Sequence, residues 1–148
     1  MNGESMWLLY AIIAAILWGL SYSLTERIFK DNITLYTLLS IQMIFGGIFF
    51  FLFSYFTTIK QDFNLILSKP NLMYIFIADV FVALLGNYFI SLSIQAKNAT
   101  LAGLIEQAYP LFTLLFTLIL FKVNHFNLSV AIGGILIFSG VLVISYFS

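Results

Sequence analysis

The sequence has no cysteine, and charged residues make up only 8% of its 148 residues. The lack of cysteine excludes disulfide bonds, thiolate catalysis and thiolate metal sites. Six basic and six acidic residues leave no net charge that would attract nucleic acid, so we expect no nucleic-acid partner. Hydrophobic residues instead reach 62% and aromatic residues 18%, whereas about a quarter of the residues in a soluble domain are charged. This composition predicts that lipid surrounds most of the protein surface.

The apolar residues form runs that are long enough to cross a membrane. A bilayer core about 30 Å thick needs roughly 20 apolar residues in a helix. Charged and turn-forming residues, including a longer polar connection at 59–70, divide the chain into five such runs. A soluble helical fold would instead need five buried helices almost without polar faces. We therefore predict one all-α integral membrane domain over residues 1–148, a five-transmembrane-helix bundle with helices at about 7–29, 34–57, 71–95, 99–121 and 128–147.

Two acidic residues lie deep inside the predicted helices. Asp79 lies about 12 Å inside the third helix and Glu106 about 10 Å inside the fourth, from the opposite face of the membrane. An ionisable group at this depth costs about 2.5 to 3.5 kcal/mol and commonly lines a transport pathway or carries a proton. We predict that both acids bind a proton or substrate. In the alternative, each is neutral and only joins helices through a hydrogen bond to Gln42, Gln107 or a tyrosine.

Other polar and aromatic side chains fall in the same layer of the membrane. They are Trp18 in the first helix, Gln42 in the second, and Gln107 and Tyr109 in the fourth, and we predict that they complete the binding site. Pro110 follows directly, and proline removes a backbone donor and clashes with the preceding turn. A kink at Pro110 would free a backbone carbonyl near Glu106.

The sequence carries no pattern that is typical of an enzyme. The single histidine, His125, lies in a predicted loop without a neighbouring nucleophile, and no set of metal ligands accompanies the two deep acids. There is also no glycine-rich phosphate loop. We therefore expect no catalytic residues, no metal and no cofactor.

Three segments resemble a known transporter repeat. Residues 15–19 read Ala-Ile-Leu-Trp-Gly, Tyr109-Pro110 lies in the middle of the fourth helix, and residues 132–142 read Ile-Gly-Gly-Ile-Leu-Ile-Phe-Ser-Gly-Val-Leu. In this order and spacing they resemble the five-helix repeat of the drug/metabolite transporter superfamily, the EamA-like domain. Most members carry two such repeats. The resemblance implies that this chain is one half of a ten-helix inverted-repeat transporter whose other half is a second polypeptide.

The chain departs from the family pattern at three places. Gln42 stands where the family often has arginine, and Val123-Asn124 stands where Gly-Glu commonly ends the fourth helix. The stretch from Gly133 to Gly140 is similar, more distantly, to the small multidrug resistance proteins, in which glycines seven apart form the dimer contact. Their essential glutamate corresponds to Gly19 here, so this similarity does not transfer their cationic-drug chemistry.

The charges at the membrane surfaces predict insertion in both orientations. Lys60, Lys69 and Lys122 fall on one side, and Arg27, Lys30 and Lys97 fall on the other, which leaves no positive-inside bias. Inverted repeats underlie alternating access in many transporters. We therefore predict dual topology and an antiparallel homodimer, or a heterodimer with a paralogue, with Gly133 and Gly140 at the dimer contact.

These observations predict a proton-coupled transporter of a small solute, either a metabolite or a cationic or amphiphilic compound. Its expected partners are the small-molecule substrate, membrane lipid and the second protomer. The expected location is the cytoplasmic membrane of a prokaryote, as a multi-pass protein. Two alternatives remain: a subunit of a flippase for a lipid-linked sugar or other amphiphile, and a non-transporting subunit that assembles with a membrane complex.

Overall fold

The computed structural model describes residues 3–147, with side chains from Met6 onward, so that Met1, Asn2 and Ser148 at the ends of the predicted domain lie outside the described residues. The described chain contains no strand, which confirms the all-α class. Its seven helices are α1 (Gly3–Lys30), α2 (Leu35–Thr57), α3 (Ile59–Ser68), α4 (Pro70–Ala96), α5 (Ala99–Glu106), α6 (Tyr109–Phe121) and α7 (Leu128–Phe147).

Five helical segments of the described chain are long and apolar enough to cross a membrane: Met6–Lys30, Leu35–Thr57, Pro70–Ala96, Ala99–Phe121 and Leu128–Phe147. The predicted helix ends differ from these bounds by no more than one residue. Large apolar side chains cover their outer surfaces, and Phe56 and Tyr146, for example, are 80% and 83% exposed. The prediction of a five-helix membrane protein is confirmed.

Polar side chains and left-handed residues set the ends of several helices. The Thr37 N–H donates to Thr34 Oγ1 at the start of α2, and the Leu101 N–H donates to Asn98 Oδ1 at the start of α5, over 3.4 and 2.8 Å. These bonds satisfy donors that a helix N-terminus leaves without an internal partner. After α1 and α6, Asn32 and Lys122 take φ angles of 63° and 56°. Both helices therefore stop where the sequence predicted polar connections.

The connection between the second and third spans is a helix rather than a polar loop. Ile59, Phe63, Ile66 and Leu67 share one face of α3, because they recur at intervals of three and four residues. The helix ends before Lys69, which is extended, as expected for a residue that precedes proline. A short amphipathic helix therefore joins two membrane-spanning helices.

The fourth span is broken at Gln107 and Ala108, between α5 and α6. The Ala108 and Leu111 N–H groups bond to carbonyls three residues earlier, those of Ile105 and Ala108. Pro110 is the second residue of α6 and has no N–H to donate to the Glu106 carbonyl. The break therefore lies two residues before the proline at which the sequence predicted a kink.

The chain divides into two compact units. The first contains the described residues up to Arg27 and those from Ser93 onward, and the second is Ile28–Leu92. In the first unit α5 packs against α7. In the second unit α2 contacts α3, and the Tyr36 and Tyr88 rings stack with centroids 6.3 Å apart.

Candidate functional site

The carboxyl group of Glu106 is bound by a tyrosine from the first helix. The Tyr22 hydroxyl donates to Glu106 Oε2 over 2.5 Å, and both side chains are half-buried in the first unit. A hydrogen bond to a charged group contributes about 1.5 to 3 kcal/mol. Glu106 thus has a fixed partner, although the two residues lie 84 positions apart in the sequence.

A second carboxyl group holds the same two helices together. Glu26 Oε2 accepts a hydrogen bond of 2.8 Å from the Ala99 N–H, the first N–H of α5. A carboxylate at a helix N-terminus meets free N–H donors and the positive end of the helix dipole. Glu26 and Tyr22 are one turn apart on α1, and they contact successive turns of α5, so the two helices run antiparallel.

Glycine at position 103 lets the Tyr22 ring approach α5. A Cβ atom added to Gly103 would lie 3.3 Å from Tyr22 Cδ2 and 3.6 Å from Cε2. The first of these separations is shorter than ordinary van der Waals contact. The ring therefore lies against the α5 backbone one turn before Glu106, and this contact directs its hydroxyl toward the carboxyl group.

The tyrosine and the glutamate lie at the same depth. Tyr22 is eight residues before the end of α1 at Lys30, and Glu106 is seven residues after the start of α5 at Ala99. In a chain with five spans these two ends fall on the same side of the membrane, and the residue counts correspond to about 12 and 10 Å along the two helices. From these counts we expect the pair within several ångströms of the bilayer midplane.

An aromatic ring lies beside the tyrosine of this pair. The rings of Trp18 and Tyr22 lie 5.7 Å apart and are tilted by 53°. Tyr109 is the first residue of α6, three residues after Glu106. Trp18 and Tyr109 are 53% and 59% exposed, so neither ring is packed inside the protein.

The break in the fourth span lies directly after the site. Gln107 forms the end of α5, where its N–H donates to the Gly103 carbonyl, and its side chain is exposed. The structure thus places Trp18, Tyr22, Glu106, Gln107 and Tyr109 in the first unit. A carboxyl group with a phenol donor, aromatic faces and a broken helix next to it can bind a proton or a cation.

Asp79 and Gln42 belong to the second unit. Both are exposed, Asp79 in α4 and Gln42 in α2. Within the part of this unit that the structure describes, neither side chain forms a hydrogen bond. Of the two deep acids, Glu106 is therefore the one whose carboxyl group has a donor in its own unit.

Residues 5–146 match the family described as EamA-like transporter family. The chain belongs to this family. The match covers almost the whole chain, so the resemblance stated above is confirmed. No curated protein and no solved structure matches the chain significantly. EamA family members transport small solutes, so this chain belongs to a transporter family. The family and the five apolar helices together make it a multi-pass membrane protein.

In this EamA-like protein, the two glycines predicted at the dimer contact have room beside them on α7. A Cβ atom added to Gly133, which is half-buried, or to Gly140, which is exposed, would meet nothing within 4 Å. A Cβ atom added to Gly134 would lie 2.7 Å from Leu111 Cδ2 of α6. Gly134 therefore packs against α6, whereas no side chain of the described residues contacts the Cβ positions of Gly133 and Gly140.

An unspecified tyrosine was one of the partners expected for the deep acids, but Tyr22 itself, the donor to Glu106, was not predicted. A signal was available: Tyr22 is one turn from both Trp18 and Glu26, and its depth, counted from the same membrane side, equals that of Glu106.

Among the described residues of this EamA-like protein, no group of three or more histidine, aspartate or glutamate side chains could hold a metal ion.

Proposed function

We propose that this EamA-like protein exchanges a proton for a small cationic or amphiphilic solute, and that Glu106 binds each of them in turn. The proposal is supported by the Tyr22–Glu106 hydrogen bond beside Trp18, which residue counting puts about 10 Å from the end of the span. A purely helix-packing role for Glu106 also predicts a tyrosine partner, so transport by Glu106→Gln is what separates the two. A lone carboxylate at this depth is costly. It is stabilised when a proton or a positively charged group neutralises it.

Exchange at one carboxyl group couples the two movements. A substrate cation can bind only after the proton has left, and a proton returns only after the cation has left. The hydroxyl of Tyr22 can donate to the charged carboxylate and accept from the neutral acid, so it holds the Glu106 side chain in place in both states. The rings of Trp18, Tyr22 and Tyr109 can contribute about 0.5 to 2 kcal/mol each toward binding a cation.

The remaining predicted site residues belong to this proposal in secondary roles. Gln107 and the break before Pro110 would let the two halves of the fourth span move relative to each other. Gln42, which lies in the second unit, stays a prediction from the sequence. Asp79 is the second candidate for the coupling acid, because its helix position also places it deep in the membrane.

The proposal includes a second protomer. A Cβ atom added to Gly133 or Gly140 would meet nothing within 4 Å, and the basic residues at the helix ends divide equally between the two predicted sides of the membrane. We propose an antiparallel homodimer, or a heterodimer with a paralogue, in the cytoplasmic membrane of a prokaryotic cell. Small residues allow the close helix contact that such an interface needs.

The test is uptake of organic cations, with tetraphenylphosphonium as the first probe, into inside-out vesicles under an imposed pH gradient. Wild type, Glu106→Gln and Asp79→Asn are compared at equal expression, with Asp62→Asn in α3 as a control acid outside the spans. We expect pH-driven uptake in wild type and the control and none in Glu106→Gln.

The pH-driven uptake measured for Asp79→Asn decides whether Asp79 takes part in proton coupling. Uptake by Glu106→Gln at the wild-type rate would reduce Glu106 to a helix-packing group and refute the proposal. If wild type takes up neither tetraphenylphosphonium nor any other organic cation that is tested, the proposed cation exchange is wrong. The flippase and assembly-subunit alternatives predict that result.

A further inference from the structure

The helix α3, between the second and third spans, has an apolar face that the protein covers only in part. Ile59 and Ile66, seven residues apart, are half-buried in the second unit. Phe63 and Leu67 lie beside them on the same face but are 58% and 68% exposed. Two large apolar side chains, one helical turn apart, therefore lack cover from the chain.

The opposite face of α3 is polar. Gln61, Asn64 and Ser68 lie there beside one apolar residue, Leu65, with Lys60 at the boundary between the two faces and Lys69 directly after the helix. The Asp62 carboxylate accepts a hydrogen bond of 2.5 Å from the Thr58 hydroxyl. The helix thus has one apolar and one hydrophilic side, with lysines where a helix at a membrane surface commonly carries them.

Both ends of α3 are tied to the membrane surface. The second span ends at Thr57, two residues before α3 begins, and the third span starts at Pro70, two residues after α3 ends. Connections this short keep α3 close to the level at which both spans leave the lipid. Its exposed apolar face is therefore continuous with the lipid-facing surface of the two spans.

We propose that α3 lies in the interfacial layer of the bilayer, with Phe63 and Leu67 among the acyl chains and Lys60 and Lys69 among the lipid phosphates. This contact anchors the loop between the second and third spans.

The absence of cysteine from the sequence makes a direct test possible. Single cysteines at Phe63, Leu67, Asn64 and Ser68 carry a nitroxide spin label in the full chain, reconstituted into phosphatidylcholine vesicles with and without phosphatidylglycerol. Collisions of the label with oxygen, which concentrates in lipid, are compared with collisions with a water-soluble nickel chelate. Asn64 and Ser68 are matched controls on the polar face.

We expect the ratio of oxygen to nickel accessibility to be severalfold higher at positions 63 and 67 than at 64 and 68. Phosphatidylglycerol should further restrict the motion of the label at position 63. Equal nickel accessibility at all four positions would place α3 in water and overturn the proposal. Exclusion of both reagents from 63 and 67 would show that protein covers this face, which also overturns it. Neither result depends on Glu106.

Discussion

At the scale of single residues, the geometry around Glu106 depends on three side chains of α1. Trp18, Tyr22 and Glu26 follow one another at intervals of four, so they share one face of the helix. Glu26 bonds the start of α5, Tyr22 bonds Glu106 near its end, and Trp18 lies against Tyr22. One face of α1 therefore determines where the Glu106 carboxyl group lies.

A double-mutant cycle measures the Tyr22–Glu106 bond. Tyr22→Phe and Glu106→Ala are made singly and together, and the free energy of unfolding is measured in mixed micelles. We expect a coupling free energy of about 0.5 to 3 kcal/mol, because each single change removes the same hydrogen bond. The control cycle combines Tyr22→Phe with Asp62→Ala. Here we expect the two changes in the free energy of unfolding to add, because the hydrogen-bond partner of the Asp62 carboxylate is Thr58 and not Tyr22. Additivity in both cycles would contradict the observed bond.

The depth of Glu106 could be predicted from residue counts, because the length of a membrane-spanning helix is fixed by the bilayer. Its partner could not be predicted in the same way. Position along α1 restricts the donor to a few residues, but rotation of α1 about its axis decides which of them faces α5. That rotation depends on packing, here on the contact between Gly103 and the Tyr22 ring, and a single sequence does not display it.

At the scale of helices, the glycine at position 103 lets the Tyr22 ring of α1 lie close to α5, since even a Cβ atom there would be in tight contact with the ring. In Gly103→Val, the added side chain would meet the Tyr22 ring, so the ring must move away from Glu106. We expect the free energy of unfolding to fall by about 1 to 3 kcal/mol, and the Tyr22–Glu106 coupling to fall with it.

Gly47→Val in α2 is the matched control for this change. A Cβ atom at Gly47 would meet nothing within 4 Å, so this variant measures only the effect of valine in a helix. We expect Gly103→Val to be the more destabilised of the two. Equal stability, with the coupling intact, would show that α1 and α5 are farther apart in the membrane than in this structure.

Two features of the helices were harder to predict than the spans. The segment that forms the amphipathic helix α3 was predicted to be a polar connection. Only four of its residues form the apolar face, and charged and amide residues separate them in the sequence. The fourth span was expected to bend at Pro110, whereas its break lies at Gln107 and Ala108. Proline disturbs the helix on its N-terminal side, where its missing N–H and its ring affect the preceding turn.

At the scale of the whole molecule, the balanced surface charges predict that both orientations are needed for activity. Gln61→Arg with Ser68→Arg adds positive charge on one side of the membrane, and Gln95→Arg with Thr100→Arg adds it on the other. Each double variant should insert in a single orientation, as a reporter fused to the C-terminus would show. We expect little transport from either variant alone and recovery when both are expressed together. Full activity of one variant alone would contradict an antiparallel dimer of this chain.

The central claim is that one carboxyl group exchanges a proton for a cation, and proton release tests it most directly. Purified wild type, Glu106→Gln and Asp79→Asn in weakly buffered detergent are titrated with tetraphenylphosphonium, while a pH indicator reports released protons and equilibrium dialysis reports bound cation. We expect wild type and Asp79→Asn to release protons in proportion to the cation bound, and Glu106→Gln to release none. Cation binding to wild type without proton release, or equal release from Glu106→Gln, would contradict the central claim.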